Sequence, residues 1–95
     1  KVDDRIKVIA SSAFENIRDS YDIIMTNPPI RAGKDVVFSF YEGAYEHLNY
    51  GGKLYVVIQK KQGAPSTKAK LESLFGNCGT ADKKSGYFIF RAIKE

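Results

Sequence analysis

Residues Tyr21 to Met25, YDIIM, are apolar at every position except Asp22. Such a run, without polar alternation, marks a strand buried on both faces, as in a parallel sheet. The next residues narrow the choice further. TNPPI, Thr26 to Ile30, ends the strand in two consecutive prolines, and a helical pattern begins a few residues later. Val36, Phe40, Ala44 and Leu48 recur at spacing four, with Val37 and Tyr41 widening the stripe, which predicts a helix over 34–48.

The other elements fit around this core. Ile6, Val8 and Ile9 predict a short strand within 5–10, and a polar loop over 11–19 comes after it, in which Phe14 and Ile17 could pack inward. Asn49 to Gly52 is expected to stop the long helix, with Gly51 or Gly52 in the left-handed conformation. Leu54 to Ile58 is a second buried strand. After the basic loop KKQGAPST, Ser66 or Thr67 is expected to cap a helix that turns Leu71, Leu74 and Phe75 inward and ends at Gly76. Segments 78–83 and 87–93, joined by a short turn, predict an antiparallel hairpin. The order implies one α/β domain over 1–95, with helices on the faces of a mostly parallel sheet and the C-terminal hairpin at one edge.

Composition removes several function classes. Cys78 is the single cysteine and His47 the single histidine, so neither an internal disulfide nor a metal site is expected. The apolar runs fall far below the roughly 20 residues of a membrane span, and KVDDRIKVIA lacks a signal-peptide core, so a cytoplasmic location and no membrane partner are expected. The chain begins with Lys1 rather than Met, which suggests a cut from something longer. A net charge of +4 favours a polyanionic partner. Lys60, Lys61, Lys68 and Lys70 surround the loop after the second buried strand, and Arg31 and Lys34 are expected to join them on one rim of the sheet, in a position to meet RNA phosphates.

In an open α/β sheet, ligands bind outside the carboxyl ends of the strands, which is where TNPPI lies. Each proline lacks an N–H and restrains the residue before it. The carbonyls of Asn27, Pro28 and Pro29 and the Asn27 side-chain oxygen therefore make a corner rich in acceptors and short of donors. Its natural guest is a group with two N–H bonds to give, either the exocyclic amino group of a base or a carboxamide nitrogen. The bland reading of Asn-Pro after a strand is simply a turn. Tyr87, Phe88 and Phe90 could offer a stacking platform, but alternation within a strand favours core packing. His47 near a helix end suits the dipole, and Cys78 suits a small core position.

YDIIMTNPPIRAGK, then a helix, then LNYGGKLYVVIQKKQGAP resembles the carboxyl-terminal half of class I S-adenosylmethionine-dependent methyltransferases of the small-domain family, which include 16S ribosomal RNA guanine-N2 methyltransferases. The resemblance implies a partial Rossmann-like fold and, in the complete protein, methyl transfer from S-adenosylmethionine to an exocyclic amino group, with guanine N2 in ribosomal RNA as the first expectation. Adenine N6 and a protein glutamine are alternative targets, and a non-catalytic RNA-binding module is an alternative role. Asn27 and the Pro28 carbonyl would hold the amino group. Pro29, Ile30, Arg31, Lys34, Lys60 and Lys61 would border the substrate, and Ser11, Ser12 and Ala13, with Asn27, would approach the cofactor. Ile30 stands where many relatives carry a stacking aromatic residue, and Ser12 where an Asp or Asn is usual.

The glycines form no G-x-G element after a leading strand, so poor cofactor binding and an inactive fragment are expected. By the same mapping, the first strand corresponds to the third of the complete fold. The two strands that would lie between it and YDIIM are absent, and 1–10 is expected to lack sheet neighbours. Exposed sheet edges leave a homodimer open.

Overall fold

The computed structural model describes residues 6–9, 21–28 and 30–95, the first of these as backbone. Within them a five-stranded sheet carries two helices. The strands are β1 (Ile6–Ile9), β2 (Tyr21–Thr26), β3 (Leu48–Gln59), β4 (Gly79–Lys84) and β5 (Tyr87–Ile93). The helices are α1 (Lys34–His47) and α2 (Ala64–Phe75). The sheet order is β1-β2-β3-β5-β4, with β1, β2 and β3 parallel and the β4–β5 hairpin added antiparallel beside β3. The α/β class is the one the element order implies, but the helices expected on the faces of the sheet share a single face, since one buried cluster of strand residues packs against both. The 11–19 loop, with Phe14 and Ile17, lies outside the described residues.

Alternation along the strands decides the layers. Ile24, Leu54 and Ala92 face one another across β2, β3 and β5, as do Val56 and Phe90 one step on. These residues are buried against Val37, Phe40, Tyr41 and Ala44 of α1 and Ala64, Leu71 and Phe75 of α2. Both helices thus lie on one face of the sheet. The strand YDIIM is buried on that face alone, since Met25 on the opposite face is 40% exposed.

Four further expectations need correction. The first concerns α1, whose core side is set by Val37, Phe40, Tyr41 and Ala44, while Val36 is 49% exposed. Steps of four residues drift by about 40° each at 3.6 residues per turn, so a row drawn back from Ala44 through Phe40 has rotated off the core face by Val36.

The second concerns the end of α1. Gly51 does take the positive φ expected, at 85°, but inside the strand rather than at the helix end, because Leu48 is already extended and begins β3. Tyr21 pairs with Leu48 and Ile23 with Lys53, so residues 49–52 bulge out of the ladder. Asp22 accepts a 3.0 Å hydrogen bond from Asn49 Nδ2 across that bulge. Gly52 is where the bulge closes: a Cβ there would lie 2.7 Å from the Asn49 carbonyl oxygen and 3.1 Å from that of Asp22.

The third is the start of α2. Its cap is Gly63 in the left-handed conformation, with Pro65 in the first turn, ahead of Ser66 and Thr67. Proline has its torsion preset for a helix's first turn and needs no hydrogen bond there. The Thr67 N–H therefore reaches the Gly63 carbonyl at 2.9 Å, and its hydroxyl is left for the core, where it meets Tyr41 Oη at 3.0 Å.

The fourth is the amino-terminal strand. β1 pairs directly with β2, from Ile6 opposite Ile23 to Ile9 opposite Thr26, so it does not lack a sheet neighbour. A free parallel edge offers unpaired backbone groups, and the nearest strand with matching direction satisfies them.

Candidate functional site

The site grows from the carboxyl end of β2. Thr26 is buried, Asn27 is exposed and Pro28 is buried, so strand alternation continues into the corner and turns the Asn27 side chain to the open face. The Pro28 carbonyl accepts a 2.9 Å hydrogen bond from the Ile30 N–H. A carbonyl has two lone pairs, so one remains for a ligand. Residues 30–32 form a single 3-10 turn, and Gly33, at φ 102° and ψ 160°, hands the chain to α1. That backbone region is open essentially to glycine alone.

Asn27 and Pro28 border a cleft of about 360 Å³, shared with Ile30 and Arg31 and closed on its far side by Gln59, Gln62 and Tyr87. This volume falls within the roughly 300–1,000 Å³ of small-ligand clefts. Ile30, half-buried, packs against the core and separates the cleft from a second hollow of about 170 Å³ that includes Lys34 and Phe38. Pro29, Ser11, Ser12 and Ala13 lie outside the described residues. Among the described residues no His, Cys, Asp and Glu side chains gather as a metal site, and no helix is long and apolar enough to cross a membrane.

The cations do not all converge. Arg31 lines the cleft, and Lys60 and Lys61 form the exposed turn after β3. Lys34 and Lys70 instead stand over the Phe38 ring, at 5.5 and 5.4 Å from its centroid, and Lys70 is paired with Glu42 at 2.8 Å. Lys68 lines a separate apolar groove between α2 and the hairpin. The six-cation rim is therefore smaller than expected, because α2 carries Lys68 and Lys70 away along its axis. The hairpin makes up the difference. The Lys60 N–H donates to the Gly86 carbonyl at 2.9 Å, which brings exposed Lys83 and Lys84 to the same edge.

The model of the methyltransferase small-domain family matches residues 1–91. The chain belongs to that family. It is 48% identical over 91 residues to YbxB of Bacillus subtilis (strain 168), itself uncharacterized, covering 94% of this chain and 45% of the relative. Over 91 residues it is 30% identical to ribosomal RNA small subunit methyltransferase C of Cronobacter sakazakii, covering 92% of this chain and 26% of that enzyme. The chain thus spans less than half the length of these curated relatives.

Among solved structures, a T. thermophilus 16S rRNA N2 methyltransferase in complex with AdoMet and guanosine superposes with a TM-score of 0.79 at 23% identity, covering 86% of this chain and 22% of that one. A Pyrococcus furiosus methyltransferase superposes at 0.68 with 24% identity, covering 82% and 43%. At these identities the likeness is one of fold.

Within this small-domain fold, Gln59, Gln62 and Tyr87 are the cleft residues that sequence reasoning missed. Phe88 and Phe90 do pack together toward the core, stacked with centroids 5.5 Å apart. Tyr87 points the other way and is 41% exposed, with its hydroxyl accepting from Gln59 Nε2 at 2.8 Å. Period-2 alternation carried that signal, since a strand cannot turn Tyr87 and Phe88 to the same face. His47 donates from Nδ1 to the Gly43 carbonyl at 2.8 Å within its own helix. Cys78 is half-buried, and burial, with a smaller push from Glu72, raises its thiol to about 11, leaving it protonated and unreactive at neutral pH.

Proposed function

We propose that this chain is the acceptor-substrate side of an S-adenosylmethionine-dependent N-methyltransferase acting in the cytoplasm on an exocyclic amino group, guanine N2 in ribosomal RNA. The observation that carries the reading is the corner at the end of β2, where the exposed Asn27 side chain and the second lone pair of the Pro28 carbonyl border one cleft. Two acceptors on the two hydrogens of the amine would fix its orientation, leave its lone pair directed at the incoming methyl group and stabilise the positive charge it develops on attack. The N2 specificity and bound guanosine named for the T. thermophilus fold relative support guanine as the base.

The cofactor would supply the electrophilic methyl group. Of the residues assigned to it only Asn27 is described, and one side chain does not make a cradle for a nucleoside. The test is methyl transfer from labelled S-adenosylmethionine to ribosomal RNA by the complete protein that carries this chain, with nucleoside analysis of the product. Label is expected in N2-methylguanosine, with a loss of about a hundredfold or more in Asn27→Ala. Label in N6-methyladenosine or in protein would overturn the base, and an unimpaired Asn27→Ala would overturn the site.

One observation favours a second reading, RNA binding without catalysis. Exposed Arg31, Lys60, Lys61, Lys83 and Lys84 share the carboxyl edge of the sheet, and cations there need no cofactor to meet phosphates. On that reading the complete protein that carries this chain binds RNA while calorimetry shows no low-micromolar affinity for S-adenosylmethionine.

A further inference from the structure

The amino-group corner alone does not distinguish a nucleobase from a carboxamide, since both present two N–H bonds. The opposite wall of the cleft does. Gln59, the last residue of β3, is directly paired with Tyr87, the first of β5. Strand alternation puts Leu54, Val56 and Ile58 on the helix-covered face, so Gln59 is on the other face, and Tyr87, opposite it in register, shares that face. Asn27 is turned to this open face too, between buried Thr26 and Pro28. Three side chains from three neighbouring strand ends thus meet on one side of the sheet at its carboxyl edge, and all three line the same cleft.

Tyr87 is an unusual wall. An exposed tyrosine is normally free to change rotamer, but the 2.8 Å bond from Gln59 Nε2 holds its hydroxyl and hence the direction in which its ring extends. With the hydroxyl tied, the ring is what remains to meet a ligand. Ile30, which comes after the prolines, packs against the core and lends the cleft an aliphatic surface only, so no aromatic ring stands on that side.

We infer that Tyr87, oriented by Gln59, is the stacking wall for the amine's own ring, so the acceptor is a planar aromatic amine, a nucleobase, and not an aliphatic carboxamide. The inference rests on the amino-group reading of Asn27 and Pro28, and the two can fail separately. Asn27 and Pro28 select the amino group, while Tyr87 selects the ring that bears it. Gln59 acts through Tyr87 as a positioning residue.

The test is a titration of the full chain against 2-aminopurine riboside, which carries a 2-amino group and loses fluorescence when its ring stacks. Saturable quenching is expected for the wild type, and an absence of quenching overturns the inference. Tyr87→Ala should abolish the quenching and weaken binding about tenfold or more. Tyr87→Phe keeps the ring, so it should retain quenching and guards against a folding artefact in the alanine variant. Asn27→Ala should weaken binding while the bound fraction still quenches. If Tyr87→Ala binds and quenches like the wild type while Asn27→Ala binds weakly, the stacking wall is wrong and the amino-group site stands. If Asn27→Ala is unchanged, the reading of the corner falls instead. Competition by N-acetylglutamine amide at the concentration of the riboside would overturn the aromatic class, and its failure to compete supports it.

Discussion

Thr26 sits one residue before the corner with its hydroxyl buried and no hydrogen-bond partner among the described residues. An unpaired buried hydroxyl costs about 1–3 kcal/mol, and an isosteric apolar group avoids the cost. Thr26→Val is therefore expected to raise the thermal midpoint by a few degrees, on the order of 1 kcal/mol, as read by circular dichroism. Tyr41 is the contrasting case. It is fully buried, its hydroxyl meets Thr67, and burial pushes its pKa from 10.0 up to about 12. The fold favours the neutral phenol, so this stability is complete below pH 10 and is lost as the pH climbs from 10 to about 12. Tyr41→Phe leaves Thr67 without its partner and should cost about 1–2 kcal/mol near neutrality. Urea midpoints at about pH 8 and about pH 11 should show the gap between wild type and variant narrowing at the higher pH. A constant gap would mean that the phenol is not held neutral by burial.

At the scale of elements, the turn from α1 into β3 is the least forgiving. The bulge over 49–52 lets the chain leave the helix and join the sheet with no intervening loop, and Gly52 closes it against two backbone oxygens. Backbone cannot step aside as a flexible side chain can, so Gly52→Ala is expected to cost roughly 2 kcal/mol, measured by urea denaturation. The helices were legible in outline. The apolar stripe of α1 and the Gly76 stop of α2 lie where local chemistry puts them, because a 3.6-residue period and a left-handed glycine need no distant partner. The start of α2 was not legible in the same way. Thr67 suits a cap as well as a helix interior, and Tyr41, 26 residues away in sequence, is what draws its hydroxyl into the core.

Across the whole molecule, the carboxyl edge of the sheet gathers Arg31, Lys60 and Lys61 with Lys83 and Lys84 from the hairpin turn. All are exposed, and none has an ion pair among the described residues. Each phosphate neutralised contributes about 0.9 to the salt slope of duplex binding and about 0.7 for a single strand. On the RNA reading proposed above, the double change Lys83→Glu and Lys84→Glu should therefore weaken RNA binding severalfold or more and lower the slope by roughly 1.4–1.8, with the melting temperature unchanged. Lys70→Gln, away from that edge, is the control and should leave the slope as it was. Fluorescence anisotropy across a salt series measures both, and equal effects at the two positions would show that the charge acts without regard to placement.

By itself the sequence determined the strand ending in Asn27 and the two prolines, the helices on either side of Leu54 to Ile58, and the hairpin. Each of these is written in local periodicity or in the restricted backbone of proline and glycine. Which residues face the corner was a matter for the tertiary structure. Gln59 and Tyr87 lie 32 and 60 positions beyond Asn27, and only the pairing of β3 with β2 and β5 brings the three strand ends to one cleft. The same holds for β1, because a strand pairs with whichever compatible edge the fold presents, and no stretch of sequence names its neighbour.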